Sequence, residues 1–134
     1  MKLLLDTHIF LWSLLDPGRL ARRAAMELEN PSNELWLSPI SLWEVLILAE
    51  RGHVTLQPDS VRWLHNVLDT VAFHEAPLNR EVAIQSRLVD LPHQDPVDRF
   101  LAATALVYDL TLVTADDRLL QSQRVPTLAS RARQ

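Results

Sequence analysis

Short apolar runs alternating with helix-length segments constrain this chain more than any other feature. Lys2 to Leu5, Glu34 to Leu37 and Thr111 to Thr114 each read as a short buried strand, the last with β-branched residues at 111, 113 and 114. Val71 to His74 and Arg124 to Thr127 read as two further strands, and Val54 to Leu56 as a brief extended piece. Between them, helices are expected over Thr7–Leu15, Leu20–Glu29, Pro58 to about Asp69, Asn79–Val89, Asp95–Tyr108 and Asp116–Gln121. Another helix is capped by Ser38 or Ser41, started by Pro39 and ended by Gly52. Strands alternating with helices predict an α/β sandwich around a mainly parallel central sheet.

Carboxylates stand at the ends of several of these apolar elements. Asp6 ends the first run, Asp98 opens the stretch Phe100 to Val107, and Asp116 follows Leu110 to Thr114. Glu44 interrupts the run Ile40 to Leu48, whose apolar residues predict a largely buried helix. Charges beside core segments are costly unless something positive neutralises them. A salt bridge to an arginine would do so. So would a divalent cation held by converging oxygen ligands. Asp6 and Asp116 fall at or just past the carboxyl ends of strands, where open α/β sheets bind ligands.

Each acid has a plainer reading. Asp6 and Asp116 suit helix N-caps, and Asp95-Pro96-Val97-Asp98 is an ordinary helix start, with both aspartates favouring the positive end of the helix dipole. As chemistry, Asp6 is a metal ligand with the Thr7 hydroxyl hydrogen-bonding a neighbouring carboxylate, and Thr114 with Asp116 faces the same site. Asp117 is expected to face solvent. His93 reads as a surface or hydrogen-bonding histidine, since no His-x-x-x-His spacing accompanies it. Trp12, Trp36, Trp43 and Trp63 read as core or interface residues.

Composition removes whole classes of function. The 134 residues contain no cysteine, which excludes disulfides, thiolate catalysis and iron–sulfur clusters. Gly18 and Gly52 are the only glycines, so no glycine-rich phosphate cradle exists. No Gly-x-Ser-x-Gly elbow is present. Met1-Lys2 leads into three leucines before Asp6, too little for a signal peptide, and no apolar run reaches membrane-span length, so a single cytoplasmic domain over 1–134 is expected. The formal net charge of −4 does not advertise nucleic-acid binding. Lys2 is the only lysine, and the arginines cluster at 19, 22 and 23 and again at 118, 124, 131 and 133. They read as genome bias and a solvated tail, or as phosphate contacts at the rim of an acidic site.

Taken in order, Asp6 after the first strand, Glu44 in an apolar helix, Asp98 in Asp-Arg-Phe-Leu-Ala-Ala-Thr-Ala and Asp116 in Leu-Val-Thr-Ala-Asp resemble the PIN-domain ribonucleases. More narrowly they resemble the VapC toxins of toxin–antitoxin pairs, in the variant marked by His93-x-Asp95-Pro96-x-Asp98-Arg99. The resemblance implies a PIN-like α/β/α sandwich and an Mg²⁺- or Mn²⁺-dependent endoribonuclease. It carries the family's acidic quartet onto Asp6, Glu44, Asp98 and Asp116, and its hydroxyl positions onto Thr7 and Thr114. Asp95 is an additional acid, a cap or a support for the metal. The resemblance also implies an RNA substrate, a cognate VapB-type antitoxin and a homodimer. The alternatives are an inactive PIN-like module that binds RNA or protein, and a phosphatase of the haloacid dehalogenase type. The latter requires a second aspartate two residues after Asp6, where this chain has His8.

Overall fold

The computed structural model of the chain describes residues 1–131. In chain order its elements are β1 (Lys2–Leu5), α1 (Thr7–Leu15), α2 (Arg22–Glu29), β2 (Glu34–Leu37), α3 (Pro39–Glu50), α4 (Ser60–Thr70), β3 (Phe73–Glu75), α5 (Arg80–Leu88), α6 (Pro96–Tyr108), β4 (Thr111–Thr114), α7 (Asp117–Leu120) and β5 (Thr127–Ala129). A single 3-10 turn, Pro17–Arg19, joins α1 to α2. The five strands form one sheet in the order β3-β2-β1-β4-β5, and every pairing is parallel.

A parallel sheet covered on both faces needs strands that are apolar on both sides, and the leucine run of β1 supplies this. Leu3 and Leu5 join a core with Phe10 of α1, Ala24 of α2, Val45 of α3 and Leu64 of α4. Leu4, pointing the other way, joins Leu112 of β4, Leu101 of α6 and Leu119 of α7. The chain leaves β1 for β2 and β3 on one side, then returns to place β4 against β1 on the other. The switch point of the sheet therefore lies between the carboxyl ends of β1 and β4.

Several elements depart from the sequence expectation. The last strand begins at Thr127, because Pro126 has no N–H to give a ladder; its carbonyl still accepts from the Leu112 amide. The third strand is shifted to Phe73–Glu75, where it pairs with Leu35 to Leu37. Val54 to Leu56 forms no strand, and α2 starts at Arg22 after an extended Ala21 that offers no side-chain cap. The helix α3 is not buried all round. Only Ser41 and Val45 are fully covered, and Trp43 is 54% exposed. One flank of α3 packs against α1, α4 and α6, and the flank carrying Trp43 stays open in the single chain.

The connection from α5 to α6 is irregular and is held by one side chain. Arg99 is 5% exposed and, among the described residues, pairs with no carboxylate. Its Nε donates to the Ser86 carbonyl at 2.9 Å. One terminal nitrogen donates to the Leu91 and His93 carbonyls, the other to Val89, each at 3.1 Å. A guanidinium suits this task because its donors fan out in a plane, whereas a lysine would serve fewer acceptors and leave the rest buried and unpaired. Arg99→Lys is accordingly expected to lower unfolding free energy by about 2–4 kcal/mol in urea denaturation; an unchanged midpoint and slope would remove this account of the loop.

Candidate functional site

Asp6, Glu44, Asp95, Asp98 and Asp116 line one cleft of about 730 Å³ at the carboxyl edge of the sheet. Each arrives from a different local cause. Asp6 follows β1 and caps α1, its Oδ1 accepting from the Thr7 amide at 2.7 Å. Asp116 follows β4 and caps α7. Asp95 caps α6 by accepting from the Asp98 amide at 3.1 Å, which places Asp98 in the first turn of that helix. Glu44 reaches the cleft from the middle of α3.

The strand ends are tied together directly. Thr114 Oγ1 donates to Asp6 Oδ2 at 2.6 Å and accepts from the Asp116 amide at 3.0 Å. Thr114 thus joins Asp6 to Asp116 through its hydroxyl. Thr7 reaches Asp6 only through its main chain. Its hydroxyl is fully buried and has no hydrogen-bond partner, so the expected contact from that hydroxyl to a carboxylate is not made.

The electrostatics follow from crowding like charges in a shielded place. Burial pushes the Asp6 pKa up, and the nearby Glu44 adds to this against the opposing Thr114, Thr7 and His8. Burial also raises Asp98, to about 6, with Asp95, Asp6 and Asp116 adding repulsion and His93 opposing it. Asp116 is partly buried, which alone would raise its pKa. The hydrogen bonds and charge of Arg118 outweigh that and lower it.

Two partners of these acids were not assigned from sequence. His93 Nε2 lies 2.9 Å from Asp98 Oδ2, with the two side chains only 12% and 11% exposed. Arg118 binds Asp116 from its amide, Nε and one terminal nitrogen, the last at 3.0 Å, and reaches Asp98 Oδ2 at 3.5 Å. The sequence marks Arg118 as part of a basic cluster, but nothing in its spacing says that it turns onto an acid two residues away. Arg131 of the same cluster pairs with the exposed Asp117, and Arg133 lies outside the described residues. Glu44 enters no ion pair among the described residues, so the arginine partner considered for it is absent there. The other wall of the cleft carries His8, His53 and Trp12, with the Arg19 guanidinium 4.5 Å over the Trp12 ring. Trp12 is partly buried: it packs against the core and also lines the cleft.

Among the described residues no three His, Asp or Glu side chains stand as a closed ligand cluster. Asp6 is turned to Thr114, Asp98 to His93 and Asp116 to Arg118, each to a donor of the protein. The donor set is nevertheless all oxygen, and one or two direct carboxylates suffice for a hard cation that retains several waters. Burial, with repulsion from neighbouring carboxylates added to it, raises Asp6 and Asp98, and a bound cation relieves that electrostatic cost. The residues fit a hard divalent ion, with Asp6, Asp98, Glu44 and Asp116 available to hold it.

The sequence pattern of the PIN domain matches residues 3–124. Ribonuclease VapC22 of Mycobacterium tuberculosis (strain ATCC 25618 / H37Rv) is 32% identical over 126 residues, covering 92% of each chain. Among solved structures, VapBC2 from Rickettsia felis bound to a DNA fragment from its promoter superposes with a TM-score of 0.71 at 15% identity, over 97% of this chain and 99% of that one. DNA-bound VapBC from Salmonella typhimurium gives 0.67 at 20% identity, over 96% and 98%. These structural likenesses carry the fold: a five-stranded parallel sheet between helical layers. The chain belongs to the PIN-domain family and, within it, to the VapC proteins.

Proposed function

We propose that this protein is a metal-dependent endoribonuclease, the toxin of a type II toxin–antitoxin pair, formed by one PIN domain over 1–134. The observation that carries the reading is the convergence of Asp6, Glu44, Asp98 and Asp116, drawn from four separate stretches of sequence, at the switch point of a parallel sheet. Similarity to a protein named a ribonuclease supports the substrate class. The cleft volume of about 730 Å³ supports it too, because it has room for a nucleotide beside a hydrated ion.

In this reading Asp6 and Asp98 are the direct ligands of Mg²⁺ or Mn²⁺, with Asp95 as cap and added negative charge. When bound, such an ion activates water and neutralises charge building on the phosphate. Thr114 and the Thr7 amide fix the Asp6 carboxylate from both of its oxygens. Glu44, unpaired among the described residues, is free to orient the attacking water and accept its proton. Arg118 holds Asp116 and is half-exposed, so it can turn to a substrate phosphate. Arg19, at the opposite wall, offers a second phosphate contact. Among the described residues no helix is long and apolar enough to cross a membrane, which is compatible with action in the cytoplasm. The VapBC complexes among the fold's neighbours support a VapB-type antitoxin as partner. The open flank of α3 with Trp43, and exposed Ile84 and Leu88 on α5, leave apolar surface for the antitoxin and for a homodimer.

With purified protein, Mg²⁺ and RNA, cleavage is expected from the wild type and at least about 100-fold less from Asp6→Asn or Asp98→Ala, both folded. An Asp98→Ala variant that cuts at the wild-type rate would pass the assignment to Asp95. Glu44→Gln should leave metal-free stability equal or slightly higher, within about 0.5 kcal/mol, because a charge without a partner is removed. A large drop in its melting temperature would mean that Glu44 has a structural role instead.

Stability should also depend on pH in a direction set by Asp98. Its folded pKa of about 6 exceeds the ordinary 3.8, so between those values the folded state holds a proton that the unfolded chain has lost. Metal-free stability therefore falls as pH rises from about 4 to about 6, and Asp6 acts in the same sense. Asp116, lowered by Arg118, opposes this only below its ordinary value of 3.8. Mg²⁺ binds the ionised carboxylates, so it should raise the melting temperature more near neutrality than at about pH 5. Scanning fluorimetry with chelator and with Mg²⁺ checks both parts; equal gains at the two pH values would contradict them.

A further inference from the structure

We propose that His93 is a positioning residue for Asp98: its Nε2–H holds Oδ2 and thereby keeps Oδ1 turned to the cation site. The inference rests on the metal-dependent reading above and adds a residue to it. Both donors that reach Asp98 from other side chains, His93 Nε2 at 2.9 Å and Arg118 at 3.5 Å, fall on Oδ2. Among the described residues no donor falls on Oδ1, and Asp98 lines the acidic cleft. One oxygen is thus engaged by the protein and the other left for a ligand, the pattern in which outer hydrogen bonds orient a coordinating carboxylate.

The imidazole itself is well placed to act this way. An ionised carboxylate only accepts, so the ring nitrogen facing it carries the proton. His93 Nδ1 is buried with no partner, so a second proton there would be an unsatisfied buried donor. The neutral ring protonated on Nε2 meets both conditions. The backbone of His93 is in turn fixed, because the buried Arg99 donates to its carbonyl at 3.1 Å. The same guanidinium holds the carbonyls of Ser86, Val89 and Leu91, so the imidazole hangs from an anchored segment. With 12% and 11% of the two side chains exposed, little water competes for the contact.

Glutamine and asparagine separate a donor from mere bulk. The amide nitrogen of a glutamine in place of His93 reaches the position of the imidazole Nε2, whereas that of an asparagine falls short, near Nδ1. The full chain, stripped of metal, would be titrated with Mn²⁺ in a calorimeter at a pH of about 8, two units above the Asp98 value of about 6, so that protonation of Asp98 does not enter. We expect His93→Asn to weaken Mn²⁺ binding by about 10-fold or more, and His93→Gln to stay within about 3-fold of wild type. His93→Leu, which keeps volume without a donor, should behave as His93→Asn and serves if the latter does not fold. Equal affinity for wild type, His93→Asn and His93→Leu would overturn the proposal. So would tighter binding by the variants, which would make His93 a competitor of the ion, or a His93→Gln as weak as His93→Asn. Wild-type protein that binds no Mn²⁺, or Asp98→Asn that binds it as wild type does, would instead defeat the underlying metal assignment and the inference with it.

Discussion

The 2.6 Å hydrogen bond from Thr114 to Asp6 is the contact on which the rest of the site depends. It joins the carboxyl ends of β1 and β4, neighbours in the sheet that are more than one hundred residues apart in the chain. Asp6 is held there because its two oxygens find an amide and a hydroxyl, which partly offset the cost of burial. Once Asp6 is fixed, α3 and α6 bring Glu44 and Asp98 toward it. Burial raises the pKa of both Asp6 and Asp98, and repulsion from neighbouring carboxylates adds to it. The fold thus spends part of its stability on holding like charges together, as functional sites generally do.

Two basic groups of the protein offset part of that charge. Arg118 takes three contacts on Asp116 and extends to Oδ2 of Asp98, the same oxygen that His93 holds. Arg118 is half-exposed and on a four-residue helix, so it can leave at low cost. His93 is shielded and anchored, so it stays. The two basic groups on one carboxylate oxygen therefore have different characters: one exchangeable, one fixed.

Much of this was legible in the sequence, for physical reasons. Buried parallel strands read as apolar runs, so β1, β2 and β4 appear at their observed bounds. Asp6, Asp95 and Asp116 were readable as helix caps, because a short acid beside a helix start satisfies its free amides, and all three are caps. The four acids that meet in the cleft were conspicuous in the sequence because each is a charge beside an apolar run. The edge strands β3 and β5 were displaced, since three-residue strands carry little periodicity and Pro126 mimics a strand start by its apolar character. The α3 helix was read as buried because its apolar composition does not say what covers it. His93 and Arg118 escaped because their partners depend on how a loop folds back, which no local pattern encodes. Thr7 illustrates the converse: the residue was found, but its amide, not its hydroxyl, meets the carboxylate.

The way Arg99 secures the α5–α6 connection constrains how that segment can vary over evolution. Its guanidinium reads four main-chain oxygens and no side chain of the loop. Residues such as Pro92 and Gln94 can therefore drift in identity without disturbing the clamp. Gaining or losing even one residue would instead shift the loop carbonyls of Val89, Leu91 or His93 off their donors. The loop should accordingly be fixed in length while remaining permissive in composition.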